Sequence, residues 1–258
     1  MSCIEKIFIP GYKALIPYIT VGYPNIEATL KAAVLLADCG CNIIELGMPF
    51  SDPLADGVTI QRASYHAIKR GITPQMCIEA ASELNKIIDI PLVFMGYYNP
   101  IFNSGLEEFC RLAEKAGIEG LIVPDMPPEE GLELEEYMRK YGLDSIYLLS
   151  PTSSPERISL VAERSTGFIY LVSLTGVTGA RKNLPVGLES FIVRVRERTN
   201  LPLCVGFGIS TPEQAGKIAK IADGVIIGSR IIQLMEEDCS LASLKSFVLS
   251  IREAIDKR

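Results

Sequence analysis

The chain has 258 residues, with 25 Lys and Arg against 31 Asp and Glu for a net charge of −6, and it is 48% hydrophobic and 22% charged. That length and composition predict a sizeable core in one domain spanning 1–258 and exclude intrinsic disorder. The acidic balance, with no Lys/Arg block, argues against non-specific nucleic-acid or anionic-membrane binding, and no apolar run nears the ~18 residues needed to span a bilayer.

Around Glu5, Lys6 and Lys13 the N-terminus lacks the apolar stretch of a secretory signal. Short β-rich runs then alternate with amphipathic stretches along the whole chain. Strands are predicted at Ala14 to Thr20, Asn42 to Leu46, Leu92 to Gly96, Gly120 to Val123, Ser145 to Leu149, Phe168 to Val172, Leu203 to Gly206 and Val225 to Gly228. Helices between them carry start signals at Asn25, Thr73-Pro74, Ser154-Pro155 and Thr211-Pro212, and Thr211 with Gln214 fits a capping box. The interval from Asn42 to Leu92 has room for a long loop and two helices. Near-continuous apolar strands such as NIIEL and GVIIG suit a parallel sheet covered on both faces. Strand after helix in one uninterrupted chain predicts an α/β fold, a single (β/α)8 TIM barrel with extra helices. The irregular segments at 47–57, 97–105, 124–128 and 173–187 each follow a strand, at the end where barrel active sites form. The acidic stretch from Pro127, PPEEGLELEEY, reads as a solvated helix face.

Chemistry concentrates in ELGMPFSDPLADG, Glu45 to Gly57. Alternation puts Ile43, Glu45 and Gly47 on one strand face and Ile44 and Leu46 on the other. If the first set points inward, Glu45 projects into the barrel mouth among apolar neighbours. Desolvation then raises its pKa, as suits a group that both donates and accepts a proton near neutrality. Asp52 and Asp56 lie on the loop that follows, with at least one expected to face the same ligand. A second signal is the pair of small-residue turns after the last two strands, LCVGFGIST with Gly206 and Gly208, and GVIIGSR with Gly228 and Ser229. Free amides and a helix dipole there form the usual barrel phosphate site, which lets an acidic protein hold an anion without a basic patch. A third is SLTGVTGARKNLP, Ser173 to Pro185, whose length and hydroxyls suggest a lid, with Tyr170 just before it. The single His, His66, cannot build a polyhistidine metal site, so no metal is expected; its helical setting points to surface packing. Seven scattered Cys without a C-x-x-C pair read as reduced thiols in a cytoplasm.

Taken together and in order, ELGMPFSDPLADG, MGYYNP at Met95 to Pro100, VPDMPPEE at Val123 to Glu130, SLTGVTGAR, GFGIS and the final Gly228-Ser229 pair closely resemble the tryptophan synthase α chain family, over nearly the whole chain. The resemblance implies a lyase of tryptophan biosynthesis that cleaves indole-3-glycerol phosphate to indole and glyceraldehyde 3-phosphate. It assigns Glu45 as general acid/base and Asp56 as the carboxylate holding the indole N–H. Tyr170 stands beside the catalytic Glu, and Thr178 is the lid residue that meets Asp56. Gly179, Gly208, Gly228 and Ser229 fall on phosphate-binding positions; Tyr18, Met95 and Phe207 fall on the indole-pocket walls, Tyr18 replacing a common Phe. It implies no cofactor in this chain, pyridoxal phosphate belonging to a β chain partner in an α2β2 complex that docks near Pro53, Asn99 and Pro100. The chemistry agrees: no Lys lies in a predicted strand to form a Schiff base, whereas an indole protonated at carbon is its own electron sink, so two carboxylates suffice.

Overall fold

The structure is a computed structural model that describes residues 2–172, 187–206 and 208–257. Its strands are β1 (Ala14–Thr20), β2 (Ile44–Gly47), β3 (Leu92–Met95), β4 (Ile118–Ile122), β5 (Asp144–Ile146), β6 (Leu148–Leu149), β7 (Ile169–Val172), β8 (Leu203–Gly206) and β9 (Gly224–Ile227). They form one sheet in the order β5-β4-β3-β2-β1-β9-β8-β7-β6, every pairing parallel. The two ends of that order, β5 and β6, flank Tyr147 in the chain, so the sheet closes on itself as a TIM barrel.

The segment expected as one strand, Ser145 to Leu149, is therefore two pieces. β5 bonds to β4, β6 bonds to β7, and the Tyr170 amide donates to the Tyr147 carbonyl at 3.0 Å across the change of partner. The Tyr147 side chain leaves the barrel and donates its hydroxyl to buried Glu135, which also accepts from Arg164 Nε at 2.8 Å. Gly131 makes room, since a Cβ there would lie 2.2 Å from the Tyr147 oxygen. Glu135 belongs to the acidic stretch read as a solvated face; α6 (Leu132–Lys140) in fact turns it inward to this pair.

Period-two alternation sorts the strand residues into two cores. Leu15, Ile19, Ile44, Leu46 and Phe94 face the helices. Ala14, Ile16, Tyr18, Ile43, Val93, Met95, Ile122, Ile146, Tyr170, Cys204 and Ile226 fill the interior. At the N-terminal end of the strands that interior is plugged by Ile4, fully buried, and by Phe8 against Phe168 at 6.0 Å between ring centres. Among the described residues, the C-terminal end of the interior is the one that holds an open cavity.

The surrounding helices begin where their caps predict. α1 (Ile26–Asp38) starts with the Asn25 side chain accepting the Ala28 amide at 2.8 Å. Two helices, α2 (Val58–Lys69) and α3 (Pro74–Leu84), fill the long interval after β2. Residues 97–105, expected to be irregular, contain the short helix α4 (Tyr98–Asn103), followed by α5 (Leu106–Lys115). Pro100 sits in the first turn of α4, where its missing N–H costs nothing, and Asp125 accepts the Tyr98 amide at 2.9 Å. After β6 come α7 (Pro155–Arg164), α8 (Leu188–Arg196) and α9 (Pro212–Ala219), the last with a complete Thr211/Gln214 capping box. α10 (Ser229–Glu237) and α11 (Ala242–Asp256) finish the chain. Among the described residues no helix is long and apolar enough to cross a membrane.

α11 is fastened to the closed end of the barrel by Arg252. Its guanidinium donates to the Lys13 carbonyl at 2.9 Å, Asn42 Oδ1 at 3.2 Å and the Tyr12 hydroxyl at 3.3 Å, pairs with Asp256, and lies 4.8 Å above the Tyr12 ring. Asn42 in turn accepts the Leu15 amide at 2.9 Å, so the start of β1 shares the network. Replacing Arg252 with Ala removes these bonds together and is expected to cost about 2 kcal/mol. In a thermal melt this reads as a fall of roughly 4–8 °C in Tm; an unchanged Tm would show that the clamp carries no stability.

Candidate active site

At the open end, one cavity is lined by Tyr18, Glu45, Asp56, Met95, Tyr170, Gly208, Gly228 and Ser229, residues drawn from β1, β2, β3, β7 and the turns after β2, β8 and β9. The sequence-predicted Thr178, Gly179 and Phe207, with the 173–185 segment, lie outside the described residues. The lining also includes residues that motif reading did not single out, among them Thr59 and Ile60 of α2, Ser210, and Arg230 and Gln233 of α10.

Glu45 is completely buried, with Tyr18 of β1 and Val93 of β3 as its register neighbours. Neither carboxyl oxygen has a hydrogen-bond partner among the described residues. With no donor to support a charge, burial pushes its pKa well above the usual carboxylate range and favours the neutral acid. The expected inward orientation is thus what the strand provides.

Two buried tyrosines stand beside it. The Tyr18 phenol leans over Gly47, where a Cβ would lie 2.0 Å from its oxygen, and Tyr170 leans over Gly206 in the same way, at 2.3 Å. Gly206 therefore seats an aromatic ring, a different task from the phosphate turn in which the sequence places it. Thr20 Oγ1 donates to the Tyr18 hydroxyl at 3.4 Å, which gives that additional oxygen a partner. Burial raises the pKa of both phenols and keeps them neutral.

Asp56 is held by a different device. The Tyr97 hydroxyl donates to its Oδ2 at 3.1 Å while accepting the Ala55 amide at 3.0 Å. Tyr97 is itself stacked on Phe50 at 5.0 Å, and the Ser64 hydroxyl of α2 bonds both the amide and the carbonyl of Phe50, at 2.7 and 2.9 Å. Gln61 Nε2 adds a bond to the Asp56 carbonyl at 2.9 Å. Burial pushes the Asp56 carboxyl up to about 6, and the Tyr97 hydrogen bond pulls it the other way. Asp52 is exposed and accepts from the Ser51 hydroxyl, outside the cavity lining. Tyr97 was not singled out from sequence, although its place directly after a strand in MGYYNP was a usable signal.

The far end of the cavity is built from backbone. The Thr211/Gln214 box satisfies the start of α9 internally, whereas α10 begins at Ser229 after Gly228 with no side-chain cap. The first-turn amides and dipole of α10 are thus available to an anion. Gly208 takes φ +77° in the facing turn. A Cβ at Gly228 would sit 3.3 Å from Tyr18 Cβ, so the two ends of the cavity press on one another through that tyrosine. His66 is exposed on α2, with ring contacts only to Tyr23 and Tyr65 among the aromatic pairs. The arrangement brings a buried carboxyl, a second carboxyl with a raised pKa and an uncapped helix start together around one pocket.

The model of the family described as tryptophan synthase alpha chain matches residues 6–254. A tryptophan synthase alpha chain from Dehalococcoides mccartyi is 57% identical over 256 residues, covering 99% of this chain and 100% of the relative. One from Geobacter sulfurreducens is 45% identical over 246 residues, covering 94% and 93%. Tryptophan synthase subunit alpha from Legionella pneumophila superposes with a TM-score of 0.92 at 36% identity, covering 100% of each chain. A structure of Mycobacterium tuberculosis tryptophan synthase gives 0.92 at 34% identity, covering 99% of this chain and 97% of that one.

The burial of Glu45 sets a stability trade. Between the ordinary value of 4.5 and its raised folded value, the native chain keeps a proton that the unfolded chain has released, so stability falls as pH rises through that window. Glu45→Gln removes the ionisation, and its Tm is expected to exceed that of the parent by roughly 2–6 °C at pH 8, with the gap closing toward pH 4.5. A gap that is constant with pH would mean that the carboxyl is not desolvated.

Proposed function

The chain belongs to the tryptophan synthase α chain family, lyases of tryptophan biosynthesis whose reaction is a retro-aldol cleavage, and from that premise we propose that Glu45 and Asp56 carry the cleavage of indole-3-glycerol phosphate here. The observation that supports this most is the buried Glu45 carboxyl, which has no hydrogen-bond partner among the described residues and begins as a proton donor.

In this reading the neutral Glu45 acid gives its proton to the indole carbon that bears the glycerol chain. The ring becomes an indolenine cation, and the Asp56 carboxylate accepts the hydrogen bond from its N–H and stabilises the charge. Glu45, now ionised where its pKa is high, is a strong base and takes the proton from the adjacent glycerol hydroxyl. As that O–H bond breaks, the C–O bond gains double-bond character and the carbon–carbon bond opens. Its electron pair returns to the ring. Indole and glyceraldehyde 3-phosphate leave, and Glu45 is again protonated, so the cycle consumes no net proton. Tyr18 and Met95, with Phe207, wall the indole, and Tyr170 lies next to Glu45. Gly208, Gly228 and Ser229 take the phosphate on backbone amides; the family resemblance adds Gly179 to that role and pairs Thr178 with Asp56, both outside the described residues.

The chain needs no cofactor of its own in this scheme; pyridoxal phosphate serves the β chain that consumes the indole. We assign the β chain's docking face in an α2β2 complex to the open end, where Pro53, Asn99 and Pro100 stand near Leu54, 92% exposed, and Phe102, 56% exposed. All seven cysteines are unpaired, which suits a cytoplasmic enzyme.

Glu45→Gln is expected to abolish indole release while keeping affinity for glycerol 3-phosphate; retained turnover would refute its role. Asp56→Asn is expected to slow cleavage by roughly 10²-fold or more, and a near-normal kcat would remove Asp56 from the mechanism. Because Asp56 must be ionised, kcat/KM is expected to fall as pH drops below about 6. Tyr97→Phe deletes the donor that favours the ionised form, so that acid limb should move up by about one pH unit. An unmoved limb would show that Asp56 does not set it.

A further inference from the structure

The cavity is lined on two sides by carboxyls, Glu45 and Asp56, in a chain of net charge −6, yet its proposed substrate is a phosphate dianion. Helix-terminal amides supply only about half a charge. Among the described lining residues there is one cationic side chain, Arg230, in the first turn of α10 directly after the Gly228-Ser229 turn. Neither the phosphate-site motif nor the amide geometry accounts for it.

Arg230 is partly sheltered, its side chain 31% exposed, and its contacts run along α10 away from the turn. Nη1 donates to Gln233 Oε1 at 3.3 Å and to Glu237 Oε1 at 3.1 Å. Both of those bonds use one nitrogen of a fork that carries five N–H donors. Glu237 is 57% exposed, so its hold on the guanidinium is solvent-screened and weak. Gln233, which accepts one of those bonds, lines the same cavity.

We propose that Arg230 is a substrate-binding residue that supplies the full positive charge for the phosphate at Gly228 and Ser229, with Glu237 competing for the same guanidinium. This rests on the phosphate being held at the α10 turn, as in the function proposed above. A dianion bridged by two or three guanidinium N–H groups outbids one exposed carboxylate, because charge-assisted bonds from a planar fork are the stronger contact. The arginine thus compensates the carboxyls that the chemistry requires, and Glu237 tunes how much of that compensation reaches the ligand.

The test pairs two substitutions with opposite predicted signs. Arg230→Gln is expected to raise KM for indole-3-glycerol phosphate, and Kd for glycerol 3-phosphate by calorimetry, roughly tenfold, with the change falling on KM and not on kcat. Its binding should also lose part of its salt dependence. Glu237→Gln is expected to tighten glycerol 3-phosphate by about two- to threefold, the scale of an exposed ion pair. A purely structural Arg230–Glu237 pair would lower Tm in both variants and leave both binding constants alone; that outcome, or weaker binding in Glu237→Gln, overturns the proposal. If the parent chain releases no indole, the retro-aldol reading fails by itself, while the calorimetric comparison still decides the role of Arg230.

Discussion

A buried carboxyl with no hydrogen-bond donor among the described residues, Glu45, is the constraint around which the open end of the barrel is arranged. It is buried because strand parity turns it inward between Tyr18 and Val93, because Ile4, Phe8 and Phe168 fill the opposite end, and because Tyr18 and Tyr170 lean over glycines beside it. Desolvation stores an unfavourable free energy in the native state, and the same desolvation makes the group an acid at neutral pH and a strong base once it has given up its proton. Stability and reactivity at this position therefore oppose each other.

The second carboxyl is treated differently. Asp56 sits at the edge of α2, with Tyr97 holding it as a hydrogen-bond donor and Phe50, Ser64 and Gln61 holding Tyr97 and the loop. Two carboxyls of the same chemistry are pushed to different values by their surroundings, one with no donor among the described residues and one with a phenol attached. In the proposed cleavage, that separation lets one act as acid while the other carries charge. At the far end, an uncapped helix start and glycine turns lie beside the one cationic side chain among the described lining residues, Arg230.

Much of this was legible in the sequence. The alternation of NIIELG groups Glu45 with Ile43 and Gly47 on one face, the caps at Asn25, Thr73, Ser154 and Thr211 mark helix starts, and the strand–helix rhythm gives the barrel; which face of β2 points inward is settled by the structure. What sequence did not reveal depends on contacts between distant segments. The Tyr97–Asp56 bond joins loops 41 residues apart, and no local period predicts which tyrosine meets which carboxylate. Glu135 looked solvated because its neighbours are acidic; its burial is set by Tyr147 and Arg164 arriving from other elements. The split at Tyr147 is likewise a property of the closed ring, and α4 was hidden by Pro100, a residue that forbids a helix interior and suits a first turn.

Infrared difference spectroscopy of the whole chain at pH 7, comparing the parent with Glu45→Gln, reads the protonation of Glu45 itself. The account predicts a carbonyl band of a protonated, weakly hydrogen-bonded carboxylic acid in the parent that vanishes in the variant. A parent spectrum with no such band, and a carboxylate signal lost in its place, would show that Glu45 is ionised at rest and contradict the account.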